Sequence, residues 1–245
     1  MVKAIQFHRI TPEFQFCGTW NYPGQFEKFI HYIHDKVEVI LPGEAPNGVV
    51  VTFDDGDKSV YQYAFPILRK YGVRAVVFLV VDYIGQTDAW DMTLSGKRSI
   101  HLSWDQIHEM QDWGIWFGSH TLTHRNLTIL RSDEIIHELT ESKRILEQKL
   151  GGISCISYPF NRTNREVILH TQRAGYRFGF GGSGENDLLI KKEAVYITDN
   201  VRSLATKLSE RPRLLYQYDR IKQKTINYFT MATMLTKHRT GDSCT

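Results

Sequence analysis

The chain has 245 residues, 42% hydrophobic and 23% charged, with a formal net charge of +3. That length supports one large α/β domain or two small ones with ample core. So small a charge, with no dense Lys/Arg run, argues against nucleic acid or an anionic membrane as partner, and no run of about 18 apolar residues is present to span a bilayer.

The opening "MVKAIQFHRI" lacks the apolar stretch of a signal peptide. Cys17, Cys155 and Cys244 are scattered and odd in number, so they make neither a disulfide framework nor a zinc ligand pattern. Together these point to a soluble chain in the cytoplasm.

Residues 4–7, "AIQF", predict a first short strand, and 24–35 carry Phe26, Phe29, Ile30 and Ile33 at helical spacing. "GVVVTF" (48–53) is an apolar, β-branched run of the kind covered on both faces. "YQYAFPILRKYG" (61–72) predicts a helix ending at Gly72, with a kink or late start at Pro66, before the strand "RAVVFLVV" (74–81). About twenty loop residues follow, too many for a mere connection.

Ser103 then caps "WDQIHEMQDWG", and "IWFGSH" (115–120) is a strand. A long helix starts at Ser132 or Asp133, shows Ile135, Leu139, Leu146 and Leu150 on one face, and stops at Gly151. "CISYPF" (155–160) is a strand, 165–175 a helix, and "FGFGG" and "AVYIT" the last strands. The alternation predicts a parallel sheet with helices outside it. A catalytic domain is expected over 1–202, with a C-terminal helix and tail over 203–245.

Three polar clusters sit just past predicted strands: Asp54-Asp55, His120 with His124, and Tyr158-Pro159-Phe160. In parallel α/β folds such strand ends gather on one face, where active sites are built. Two imidazoles four residues apart, with one carboxylate, make a three-ligand divalent metal site open to water and substrate. One acid of the pair would bind the metal and its neighbour would act as a base, the cation relieving their repulsion. The competing reading is an Asp-Asp-Gly turn with exposed acids.

"TFDDG" (52–56) and "SHTLTH" (119–124) resemble the first two motifs of the NodB-type polysaccharide deacetylases, carbohydrate esterase family 4. "AFPILRKYGVRAVVFLV", "ESKRILEQKLGG", "ISYPF" and "RAGYRFGFG" extend the resemblance over roughly residues 1–200. It implies a distorted (β/α) barrel of about seven strands that hydrolyses acetyl groups from N-acetylated sugars. It also implies Asp54 as general base, Asp55, His120 and His124 as metal ligands, and the Phe160 N–H as oxyanion donor, with Tyr158 and Pro159 at the substrate. The ion would be zinc, with cobalt, manganese, nickel or iron as alternatives.

The late Leu-x-His motif that supplies the acid in many members has no match, for His170 falls in a helix and His238 in the tail. "IQFHRI" (5–10), followed by "FEKFIHYI", is instead similar to the start of the circularly permuted poly-N-acetylglucosamine deacetylases, which makes His8 the expected acid. Two departures stand out: Ser157 takes the place of an arginine that contacts the base in other members, and Asn161 replaces a glycine. Tyr22, Trp90, Trp104 and Tyr158 are candidate sugar-stacking surfaces. His31, His34, His108, His137 and His170 are expected to be structural, and His101 is a lesser substrate candidate. The partner expected is an acetylated saccharide. Other readings are a deacylase of a small metabolite, sugar nucleotide or lipid-linked saccharide, and a catalytically silent carbohydrate-binding domain.

Overall fold

The computed structural model describes residues 2–15, 18–92, 98–182 and 184–209, with backbone alone at 88–92 and 98. Cys17, Cys244, His238 and the Trp90 side chain lie outside the described residues. Strand β1 (Val2–Phe7) opens the chain, and the short β2 (Arg9–Ile10) and β3 (Trp20–Asn21) pair in parallel beyond its end. Helix α1 (Pro23–Lys36), β4 (Gly48–Phe53), α2 (Phe65–Tyr71) and β5 (Val76–Leu79) follow. A hairpin of β6 (Thr87–Met92) and β7 (Arg98–Ile100) precedes α3 (Trp104–Trp113), β8 (Trp116–Ser119) and α4 (Ser132–Leu150). The last elements are β9 (Cys155–Ser157), α5 (Arg165–Arg173), β10 (Phe178–Phe180), β11 (Lys192–Ala194) and α6 (Val201–Leu208).

Seven strands form one sheet in the order β10-β9-β8-β5-β4-β1-β11, every neighbouring pair parallel. A bridge between Phe180 and Ile190 brings the two edges together, so the sheet nearly closes into the expected distorted barrel. The two-residue period of the strands divides the core. Ile5, Phe7, Val51, Phe53, Val77 and Leu79 pack outward under the helices. Ala4, Val50, Val76, Phe78, Phe178 and Phe180 fill the inside, with Ile40 and Leu41 packed among them. Burial on both faces is why these strands read as continuous apolar runs rather than as alternating ones.

Several boundaries differ from expectation for identifiable reasons. Pro66 has no N–H for the Gln62 carbonyl, and the chain widens into a π turn at Val60–Ala64, where the Phe65 N–H reaches back to Val60. The long loop contains the β6–β7 hairpin. The α4 helix begins at Ser132, its N-terminal N–H donor being Arg131, bonded to the Glu134 carboxylate at 3.0 Å. Strand β9 stops at Ser157 because a 3-10 turn takes over at Pro159. The final strand is Lys192–Ala194 rather than 194–198, since Tyr196 turns back onto the Asp199 carboxylate at 2.8 Å. The expected boundary at 202 falls inside α6, whose Leu204 and Lys207 are buried; residues 210–245 lie outside the described residues.

Gly118 on β8 leaves room for the core ring of Phe78. A Cβ there would lie 2.7 Å from that ring and 2.9 Å from the Cys155 carbonyl. Gly118→Ala is therefore expected to cost about 1–3 kcal/mol, read as a lower denaturant midpoint at unchanged m-value. A midpoint equal to that of the parent protein would contradict the packing described.

Candidate active site

At the C-terminal strand ends the barrel interior turns polar. Gln6 on β1, Thr52 on β4, Ser157 on β9 and Lys192 on β11 are all buried there. Three of them converge on Asp54, the first residue past β4 and only 2% exposed. Its Oδ2 accepts from Lys192 Nζ at 2.6 Å, Gln6 Nε2 at 2.6 Å and Ser157 Oγ at 3.0 Å. Its Oδ1 is buried with no hydrogen-bond partner among the described residues. Burial pushes the Asp54 carboxyl up, but the Lys192 ammonium, then His120 and His8, outweigh it and hold the pKa below the usual range. Asp54 thus has a cationic partner although Ser157 takes the place of an arginine: Lys192 from the last strand binds it and donates to Ser157 as well, at 2.6 Å.

Asp55, His120 and His124 each offer one ligand atom, and these lie within 4.8 Å of one another. Asp55 Oδ1 is 3.4 Å from His120 Nε2 and 3.5 Å from His124 Nε2. His120 Nδ1 donates to the Ser157 carbonyl at 2.7 Å, which fixes the tautomer and leaves Nε2 its lone pair. Burial and the neighbouring His120 lower His124 to about 4, so that ring is neutral at ordinary pH. Burial raises the Asp55 carboxyl, yet the His120 contact and the other imidazoles hold it well below the carboxylate range. One carboxylate and two imidazoles, converging and buried or half-buried, are a donor set that fits a divalent cation such as zinc.

The loops that carry these groups are strained. Among the described residues, the non-glycine positions with left-handed φ are Asp55 (71°), Thr121 (69°), His124 (63°), Phe160 (59°) and Asn161 (54°). All five belong to the three site loops, and such strain persists only where surrounding contacts impose it. Asparagine tolerates that region better than most residues, which accounts for Asn161 in place of glycine.

Some of those contacts come from residues that sequence reasoning missed. Glu138 on α4 is buried, and its carboxylate accepts from the Leu122 and Thr123 N–H groups, each at 2.9 Å, and from the Thr123 hydroxyl. Ser142, one turn further along α4, meets Ser119, whose Oγ accepts from the Thr121 N–H at 3.0 Å. On the other side His101 is 3% exposed, and its Nδ1 lies 2.8 Å from the Asp55 carbonyl oxygen. It braces the Asp55 backbone rather than facing substrate.

His8 follows β1 and is half-buried. The Gln6 Nε2 that binds Asp54 also lies 3.3 Å from His8 Nε2. With that amide donating, His8 Nε2 accepts and the neutral ring holds its hydrogen on Nδ1, which is buried without a partner among the described residues. Burial lowers the His8 pKa, against the pull of Asp55 and Asp54. The Phe160 ring, 45% exposed, packs 5.0 Å from that of His124.

Tyr158 departs from expectation. It is fully buried and its hydroxyl donates to the Leu188 carbonyl at 3.1 Å, so its ring is core and offers no surface to a sugar. Pro159 is buried in the turn beside it. Trp104 packs on His108 and under Lys149. His31, His34, His108, His137 and His170 lie on the outer helices α1, α3, α4 and α5.

Comparison with known proteins gives the family and the fold. The family described as polysaccharide deacetylase matches residues 43–179. YxkH of Bacillus subtilis, which carries the provisional name of polysaccharide deacetylase, is 30% identical over 191 residues, covering 73% of this chain and 63% of that one. The poly-β-1,6-N-acetyl-D-glucosamine N-deacetylase of Staphylococcus aureus is 28% identical over 177 residues, covering 64% of this chain and 59% of that one. The chain therefore spans about three-fifths of the length of these curated relatives. The solved structure of IcaB from Ammonifex degensii superposes with a TM-score of 0.71 at 22% identity, over 84% of this chain and 95% of that one, and so shares the fold. With its TFDDG and SHTLTH loops at the strand ends of such a barrel, the chain belongs to the polysaccharide deacetylase family.

Proposed function

We propose that the chain is a metal-dependent hydrolase that removes acetyl groups from N-acetylated sugar units of a polysaccharide. The observation that carries this reading is the division of labour at Asp54-Asp55. One acid is directed at two imidazoles; the other has one oxygen saturated by Lys192, Gln6 and Ser157 and the other oxygen without a partner. The Staphylococcus aureus relative, named for N-deacetylation of poly-β-1,6-N-acetyl-D-glucosamine, supports the substrate class.

A divalent ion held by Asp55, His120 and His124 would supply Lewis-acid polarisation of the acetyl carbonyl and a more acidic water. Asp54 Oδ1 takes the proton of the attacking water, since Oδ2 already accepts three hydrogen bonds. The Phe160 N–H is assigned to the oxyanion, a donor of a kind typically worth about 2.7–4 kcal/mol. His8 gives a proton from Nδ1 to the leaving nitrogen as the C–N bond breaks, and acetate and a free amine result. The ring must be protonated for that step, with Nε2 then carrying a hydrogen and giving up its bond from Gln6; burial opposes the charge while Asp55 and Asp54 favour it.

The direct test is acetate release from N-acetylglucosamine oligomers by the zinc- or cobalt-loaded protein. Asp54→Asn is expected to lower kcat by roughly 10²–10⁴ with metal content unchanged. Loss of metal together with surviving activity would reverse the roles of the two acids. Lys192→Met leaves a buried carboxylate without its cation and is expected to cost about 3–5 kcal/mol of stability, with Lys192→Arg retaining most of it. Equal stability of the methionine variant and the parent would contradict the ion pair. Glu138→Ala should weaken metal binding about 10–100-fold in a chelator competition, while Glu138→Gln stays near the parent value. Unchanged affinity in the alanine variant would show that the ligand loop holds its shape without α4.

A further inference from the structure

A second group of side chains lies on the same rim of the barrel and has no part in the chemistry above. Past His8 the chain forms β2, and Arg9 there pairs in register with Trp20 of β3. Trp20 is 1% exposed, and two rings stand edge-on to it: Phe14 at 5.7 Å and Tyr22 at 4.6 Å between centroids. Those two rings are open to solvent, Phe14 by 64% and Tyr22 by 43%. Two exposed aromatics that share one buried indole differ from a lone exposed side chain, and clustered exposed apolar groups mark binding surfaces.

The β3 side of this group is tied to the body of the protein. Asn21 is fully buried, and its side-chain amide donates to Gln25 at 3.0 Å and to the Tyr196 carbonyl at 3.2 Å. The Ile197 N–H donates to the Gly18 carbonyl at 3.0 Å, tying the segment to the chain just past β11. It is also continuous with the catalytic rim: Arg9 lies between His8 and the Trp20 pairing and binds Asp57 at 3.1 Å, two residues beyond Asp55. The other large exposed ring of the site, Phe160, belongs to the loop past β9, on the opposite side of the β4, β5 and β8 ends.

We propose that Phe14 and Tyr22, backed by Trp20, form a saccharide subsite that takes the apolar face of a sugar unit flanking the one being deacetylated. This rests on the reading of the site as a saccharide deacetylase. A polymer reacting at Asp54 that extends past His8 along the β2–β3 edge would meet these two rings, whose flat apolar faces suit a pyranose and whose side chains have few torsions to lose.

The test is a calorimetric titration of metal-loaded Asp54→Asn protein, which holds substrate without turning it over, using N-acetylglucosamine itself and its pentamer. The pentamer is expected to bind more tightly than the monomer. Replacing Phe14 and Tyr22 by alanine should weaken the pentamer about tenfold or more and leave the monomer unchanged, with Tyr22→Trp retaining the affinity. Equal losses for both ligands, no loss for the pentamer, or no pentamer binding at all would overturn the proposal. So would a dimeric protein in sedimentation that the double variant makes monomeric at unchanged pentamer affinity, since the rings would then serve a second copy. Acetate release without any role for the rings removes the subsite alone. Ring-dependent pentamer binding without acetate release removes the deacetylase reading and leaves the subsite.

Discussion

The buried Asp54 carboxylate is the constraint on which the site depends. A charge this far from water is costly unless it is paired and hydrogen-bonded. Lys192, Gln6 and Ser157 meet that cost from three different strands, β11, β1 and β9, and all of them on one oxygen. The same interactions therefore tie three strands together at the top of the barrel and leave the second oxygen without a partner. Ser157 carries a further duty, its carbonyl accepting from His120 Nδ1. Asp54 and the Asp55–His120–His124 cluster thus share one support.

Around that centre the loops hold conformations their residues would not choose. Asp55, Thr121, His124, Phe160 and Asn161 all sit at left-handed φ. The opposing contacts are specific: Glu138 and Ser142 from α4 on the histidine loop, and His101 on the Asp55 carbonyl. Glu138 is a buried carboxylate whose oxygens accept from two backbone N–H groups and a hydroxyl, so its burial leaves neither oxygen without a donor. The barrel supplies rigid strand ends, and outer elements hold the loops in their strained shapes.

Much of this is legible in the residues themselves. The apolar runs 48–53 and 74–81 mark the barrel strands because both faces are covered, and TFDDG and SHTLTH mark the site because their residue types make sense only together. The supporting residues are harder to read. Lys192 hides in "IKKEAVYIT", where the β-branched tail draws the strand two residues too late and turns an inward lysine into a loop residue. Gln6 is one polar residue in a four-residue strand, and only the register with Thr52 shows that it points inward. Glu138 did leave a signal: it lies three residues past Ile135 and beside Leu139, on the face of α4 that the apolar residues assign to the core. Tyr158 misled in the opposite sense, since position in a motif says nothing of burial.

The central claim is that the two adjacent acids do different work, Asp55 holding the ion and Asp54 the proton. Anomalous scattering from a crystal of the zinc-loaded protein, recorded at the zinc edge, measures this directly. The account predicts a single strong peak within bonding distance of Asp55, His120 and His124, with Asp54 still bonded to Lys192 and outside the coordination sphere. A peak coordinated by Asp54, or no peak at this cluster at saturating zinc, would contradict it.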